Sequence, residues 1–491
     1  MKKFLSIILA SLMLIGALSG CGGPADTATA PHSSDAAQPP AEIVWFIWGE
    51  QPAHYEEVMK AVNEKLLKDL NMTLNLQFVS PGDYNTKMQM AMAGGDDWDM
   101  CFTSNWVNNY VSAAGKGAYL QLTPEMLAEN CPHIMQIIPE RLWDGVKVNG
   151  GIYGIMNYQV MYDEAGFRFL KEDVDALKLD VDHIDNWDKL NEAIGKIAEA
   201  YPDKYATRGG GSIIIENFLQ ERPISTILNL PVLTYNEETK KVDNYHFFER
   251  IEPALRSFKL WRDEGWQPTD AATLKDEDSM LRQGTIRSRY ERKKPGVEGI
   301  LKTITGSECV VPSLGNPVIT TVSVQSTITS LNVNSKHPEK ALQLLDYLFV
   351  NKEVSNMLFF GLEGLDYELV NGRVQTLPDC WISPQWQLGN QFNALLTVND
   401  PENMWEDTIQ GNEAAGYDVL FGFVPDRTPV ETELATIEAI WMEYKDILYY
   451  GLDDYKTIIP EMMDKMEKAG LEKVTTEMQS QVDAFMAAQA Q

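Results

Sequence analysis

The stretch GDDWDMCFTSNW, residues 95–106, sets acids and a tryptophan (Asp96, Asp97, Trp98, Asp99) before a short apolar step, Met100-Cys101-Phe102. Small polar groups and a second tryptophan follow: Thr103, Ser104, Asn105 and Trp106. A strand that ends in hydroxyls, an amide and a large aromatic has the chemistry of an end that faces a ligand. Working outward, residues 43–47, IVWFI, form a strand-like run, and TLNLQFV, residues 73–79, alternates with period two. Between them Tyr55, Val58, Met59, Val62, Leu66 and Leu70 recur at helical spacing, with Pro52 as the helix start. Residues 83–95, DYNTKMQMAMAGG, read as a helix that ends at Gly94-Gly95. This alternation predicts an α/β unit with a mainly parallel sheet. In such sheets ligands lie outside the carboxyl ends of the strands. The ends here are Trp48-Gly49-Glu50-Gln51, Ser80-Pro81-Gly82-Asp83-Tyr84 and Thr103-Ser104-Asn105-Trp106, and all three mix aromatics with hydrogen-bonding groups.

The N-terminus reads as an export signal. Met1-Lys2-Lys3 is positive, and Phe4 to Leu18 is apolar but short for a membrane span. It closes on Leu18-Ser19-Gly20-Cys21, which resembles a bacterial lipobox, so residues 1–20 are expected to be a lipoprotein signal and Cys21 the acylated residue. Residues 21–41 are small, polar and proline-containing, as in a disordered tether. Roughly 450 residues remain, enough for two or three domains. The net charge of −30, more acidic still once Lys2 and Lys3 leave, argues against general nucleic-acid binding and against docking on an anionic membrane. Cys101, Cys131, Cys309 and Cys380 show no CxxC spacing, and the six His form no HExxH or HxH, so no metal or cofactor is expected.

Further along, residues 147–162 read as a hairpin running into an extended segment, and 186–200 as a helix capped by Asp185 or Asn186. RGGGSIIIENF, from Arg208, suggests a loop and a buried segment. Residues 309–335 are β-rich, and 337–361 and the tail are helical.

The order of the lipobox, GGIYGIMNYQV, GWQPTDAATLKDED, KKPGVEG, KHPEKALQLLDYLF, GLEGLDYELV and LGNQFNALL resembles extracellular solute-binding lipoproteins (family 1) of oligosaccharide ABC importers. The tail from GFVPDRTPVETELATIEAI onward is similar to a C-terminal domain of unknown function that marks one subfamily. The resemblance covers nearly all of residues 42–489. It implies a two-lobed α/β fold of the periplasmic-binding-protein kind (type II), closing by hinge strands around a ligand. The first lobe would hold 42–157 and about 320–360, the second about 158–315 and 361–420, and about 421–489 a mostly helical C-terminal domain. Hinges fall at 156–159 and about 315–320, with a third crossing near Gly361. By family position Trp48, Glu50, Gln51, Thr103, Ser104 and Trp106 touch ligand from the first lobe, with Tyr158 and Gln159 at the hinge. Asp83, Tyr84 and Asn105 belong to the same strand ends, and Trp386, Asn390 and Gln391 lie in the WQLGNQ segment, where core packing is the competing reading of Trp386. The partners implied are an oligosaccharide, ABC permease subunits and the membrane through Cys21. The protein is expected to be an extracytoplasmic monomer with no nucleic-acid partner.

One segment departs from the family. LRQGTIRSRYERKKPG, residues 281–296, gathers Arg282, Arg287, Arg289, Arg292, Lys293 and Lys294 around one acid, Glu291. Arginine forks bind carboxylates, so Arg289, Arg292 and Lys294 are candidates for an anionic, uronic-acid-containing sugar. A solvated charge run or a permease dock is the alternative. Acids at 96, 97 and 99 suggest paired carboxylates for glycoside hydrolysis, but a solvated helix-to-strand turn explains them more simply. With no catalytic constellation, the chain is expected not to be an enzyme. A surface sensor partner of a membrane kinase is the second reading.

Overall fold

A computed structural model describes residues 39–94, 97–209, 218–219, 224–274 and 277–489. The signal, Cys21, the tether up to residue 38, Asp96 and most of RGGGSIIIENF lie outside the described residues, and the last tether position, Ala41, already belongs to the first strand.

Strand β1 (Ala41–Trp48) pairs in parallel with β2 (Met72–Val79) along its whole length, Ala41 with Met72 through to Trp48 with Val79. Helix α1 (Tyr55–Leu70) joins them and buries Val58, Met59, Val62 and Leu66, the stripe expected from the spacing. It begins after Pro52, with His54 left-handed ahead of it, Glu56 and Glu57 in its first turn, and Asn71 closing it by donating to Leu66 and Leu67 carbonyls. Helix α2 (Tyr84–Gly94) leads to β3 (Met100–Thr103), parallel to β1. Strand Ile328–Leu331 returns antiparallel to β3, and Ile155–Met156 pairs antiparallel with it. The first sheet is therefore parallel only over β1–β3.

The second sheet runs Cys309–Val310, Ala165–Leu170, Ile286–Arg292, Tyr205–Thr207. Among the described residues its only parallel pair joins Ile286–Arg292 to Tyr205–Thr207. Locally the sequence reading holds. Lys147–Val148 and Gly151–Ile152 form the hairpin, turned by Asn149 and Gly150 at φ 50° and 80°. Asn186, not Asp185, caps helix Trp187–Ala200, accepting from the Lys189 amide at 3.0 Å.

Two large cores define two lobes. The first joins β1–β3 to Leu342, Leu345, Phe349 and Leu358. It also takes Tyr367, Val374, Trp381, Leu388 and Ala394, so 361–415 packs with the first lobe, not the second. The reason is Trp381, which is fully buried, donates to the Leu358 carbonyl at 2.9 Å and stacks on Tyr55. The third crossing moves accordingly: Gly416–Tyr417 pairs in parallel with Val318–Ile319, far from Gly361. The second core joins Phe167, Leu190, Phe258 and Trp261 to Leu434, Ile437, Met462, Met466, Val474 and Met478. The C-terminal helices Glu431–Tyr449, Tyr455–Lys468 and Leu471–Gln489 are thus part of the second lobe's core rather than a separate body.

Candidate functional site

The ends of β1 and β3 bring two tryptophans together, and a distant segment supplies a third. Trp48 meets Trp106 edge-on, centroids 5.3 Å apart, and Trp386 lies 6.1 Å from each. Phe102, the last apolar residue of β3, supports Trp106 at 5.8 Å and Trp386 at 5.5 Å. Trp106 is 49% exposed, and Trp48 and Trp386 are half-buried.

Hydrogen bonds fix the segments that carry these rings. Gln387, fully buried, accepts from the Trp48 amide at 3.1 Å and donates to the Trp48 carbonyl at 2.8 Å, which sets Trp386 beside Trp48. Ser104 Oγ accepts from the amides of Trp106 (3.2 Å) and Val107 (2.9 Å), folding the loop that carries Trp106. Trp106 Nε1 donates to the Ser326 carbonyl at 2.9 Å.

Other candidates fall into three places. Glu50, Gln51 and Asp83 are exposed, with Asp83 accepting from Ser80 Oγ at 2.7 Å. Tyr84, Thr103, Ser104 and Asn390 are buried. Tyr84 is core: its hydroxyl donates to the Phe102 carbonyl at 2.8 Å and lies 3.2 Å from that of Phe46, and burial pushes its pKa up. Thr103 donates to the Asn108 carbonyl, and Asn390 ties the Phe349 carbonyl (3.0 Å) to the Phe392 amide (3.1 Å). The side chains of these four residues are hydrogen-bonded within the protein. Asn105 Oδ1 is buried without a partner among the described residues.

Tyr158 and Gln159 lie on the segment that crosses from the first sheet to the second, beyond strand Ile155–Met156. The Tyr158 amide donates to Gly389 (2.7 Å), its carbonyl accepts from Gln391 (2.9 Å), and its ring packs on Phe392. Asn412 clamps the same segment, accepting from the Met161 amide at 2.8 Å and donating to the Gln159 carbonyl at 2.7 Å.

The cationic segment is largely neutralised within the protein. Arg289 forks between Glu277 (2.7 Å) and Glu291 (2.9 Å), Arg292 pairs with Asp163 (2.6 Å), and Lys293 with Glu298 (2.8 Å). Arg287 pairs with Asp173 and with Glu172 at 2.7 Å. The expectation of free forks at Arg289 and Arg292 is corrected: Glu277 and Asp163 reach them through the fold. Lys294 alone among these three candidates has no carboxylate partner among the described residues. Its amine is pulled below the ordinary lysine value by burial and then by Arg292.

Asp99 accepts from the Val44 amide (2.9 Å) and Ser335 Oγ (2.6 Å), and Asp97 pairs with Lys336, so neither is poised as a catalytic carboxylate. Among the described residues no cluster of His, Cys, Asp or Glu suits a metal, and no helix is long and apolar enough to cross a membrane.

Comparison with known proteins bears on this arrangement. Residues 419–487 match a domain of unknown function (DUF3502). A protein of Streptococcus pneumoniae serotype 4 described as a carbohydrate ABC transporter substrate-binding protein is 25% identical over 494 residues, covering 99% of this chain and 98% of that one. The crystal structure of the N-glycan transport solute-binding protein NgtS from Streptococcus pneumoniae superposes with a TM-score of 0.80 at 24% identity, over 91% of this chain and 99% of that one. An extracellular solute-binding protein from Bifidobacterium longum subsp. infantis superposes at 0.62 with 15% identity, over 92% and 99%. The fold is that of the two-lobed solute-binding proteins.

Trp48 and Trp106 sit where strands of the first lobe end, and Trp386 packs against both. Phe102, Gln387, Ser326 and Asn412 escaped the sequence reading. Phe102 was legible as strand core, whereas the others act through backbone groups of residues far away in sequence, which no local pattern marks.

Proposed function

We propose that this protein captures an oligosaccharide between its lobes and delivers it to an ABC permease. The tryptophan trio carries the reading: three indoles from distant segments, one half exposed, are held together at strand ends by Gln387, Ser104 and Ser326. Flat aromatic faces cover the apolar C–H face of a pyranose, and exposed Glu50 and Gln51 beside Trp48 offer partners to hydroxyls. NgtS has been crystallised with Man1GlcNAc and Man5GlcNAc, which supports sugars of mannose and N-acetylglucosamine as the first class to try. The relatives found are binding proteins rather than enzymes. The lipobox-like ending at Cys21 supports an extracytoplasmic protein held to the membrane by its acyl chains.

A thermal-shift screen of the chain from residue 22 onward against neutral and acidic oligosaccharides tests this. A ligand at 100 times its Kd adds roughly 2.7 kcal/mol of stability. Cleavage products, or no shift with any oligosaccharide, would contradict the reading.

A further inference from the structure

A cavity of about 260 Å³ lies across the seam between the two lobes. Gln385, which lines it, immediately precedes Trp386. Its first-lobe wall carries Gln385, Gln391 and Trp405; its second-lobe wall carries Lys294 and helix Val297–Thr305, which leaves Ile304 exposed. Trp405 is held by its Nε1, which donates to the Ala394 carbonyl at 2.7 Å, and by its contact with Phe392. The volume sits just under the usual range for small-molecule pockets, which fits one sugar unit rather than a chain.

The charged groups that line this cavity are one cation, Lys294, and one anion, Asp400. Arg292 is answered by Asp163 and Lys293 by Glu298, and Lys294 makes no direct ion pair with a carboxylate among the described residues, although the charge of Glu291 reaches it. Asp400 also lines the cavity, but one of its carboxylate oxygens accepts from the Thr397 amide at 2.6 Å, in its own turn. A ligand unit that carries hydroxyls toward Asp400 and the glutamine amides, and a carboxylate toward Lys294, satisfies every one of these groups. A neutral sugar leaves the half-buried ammonium without a direct ion-pair partner.

We propose that this cavity is a second subsite that takes a carboxylate-bearing end unit of the oligosaccharide, with Lys294 as its counterion and Trp405 as its aromatic wall. The assignment rests on the reading of the chain as an oligosaccharide binder. It moves the acid-recognising charge from the paired Arg289 and Arg292 to Lys294.

The test uses the chain from residue 22 onward and two probes that differ only at one carbon. One is an oligosaccharide ending in glucuronic acid; the other is its carboxyl-reduced glucose form. Calorimetry of wild type should give about a tenfold or greater preference for the acid. Lys294→Gln should bring the acid-to-neutral ratio close to one, and Lys294→Arg should restore much of it. Arg292→Gln should leave the ratio in place. Equal affinity of wild type for both probes, or a ratio unchanged in Lys294→Gln, overturns the subsite and leaves the tryptophan platform standing. Binding of neither probe overturns both.

Discussion

Trp106→Ala separates a ligand-binding ring from a core ring, because the fold provides both kinds for comparison. Trp106 is 49% exposed, so truncation removes roughly 100 Å² of buried apolar surface, or about 2 kcal/mol of stability. The hydrogen bond from Nε1 to Ser326 is lost with it. Trp381 is 1% exposed and hydrogen-bonded within the first core; its truncation should cost about 3–5 kcal/mol. Affinity should order the two variants the other way. Losing the Trp106 face should weaken oligosaccharide binding by about 1–3 kcal/mol, roughly 5- to 150-fold. Trp381→Ala, measured well below its melting temperature, should bind nearly as wild type. Chemical denaturation gives the first quantity and calorimetry the second. Trp106→Phe should fall between, since it keeps an aromatic face and loses the bond to Ser326. If Trp106→Ala is as destabilised as Trp381→Ala and binds normally, Trp106 is packing and the platform has no ligand role.

Three further outcomes follow from other parts of the molecule. Cys21→Ala should release the protein from membranes or leave the signal uncut, as cell fractionation and the mature mass will report. Met462→Ala, at a fully buried position of the C-terminal helices, should destabilise the second lobe by about 2–5 kcal/mol; a surface-like loss of a few tenths would mean that the helices do not complete that core. His54 Nδ1 lies 2.8 Å from buried Asp366, whose hydrogen bond raises the imidazole pKa above its usual value of about 6.5. Its folded pKa being raised, the pair's contribution is full below the unfolded value and is lost as pH rises through the folded one. The stability gap between wild type and His54→Asn, which keeps a residue tolerant of the left-handed backbone, should therefore shrink across that window, and a gap constant with pH would refute the coupling.

Much of the local structure was legible because local patterns report local geometry. The spacing of Val58, Met59, Val62 and Leu66 marks the buried face of α1, the alternation in 73–79 gives β2, and Asn149-Gly150 turns the hairpin. The polar end of β3 with Trp106 was likewise readable. Periodicity says that a face is apolar but not which face it meets. Trp381 therefore gave no sign that 361–415 completes the first core, nor Met462 that the tail completes the second. Charge follows the same logic. Residues 281–296 show six cations against Glu291, and only folding brings Glu277 to Arg289 and Asp163 to Arg292. The sequence by itself determined the alternating elements and the chemistry at their ends. The tertiary structure alone decided that Trp48, Trp106 and Trp386 share one platform and that Lys294, among the described residues, has no direct carboxylate partner, because both depend on contacts between segments far apart in the chain.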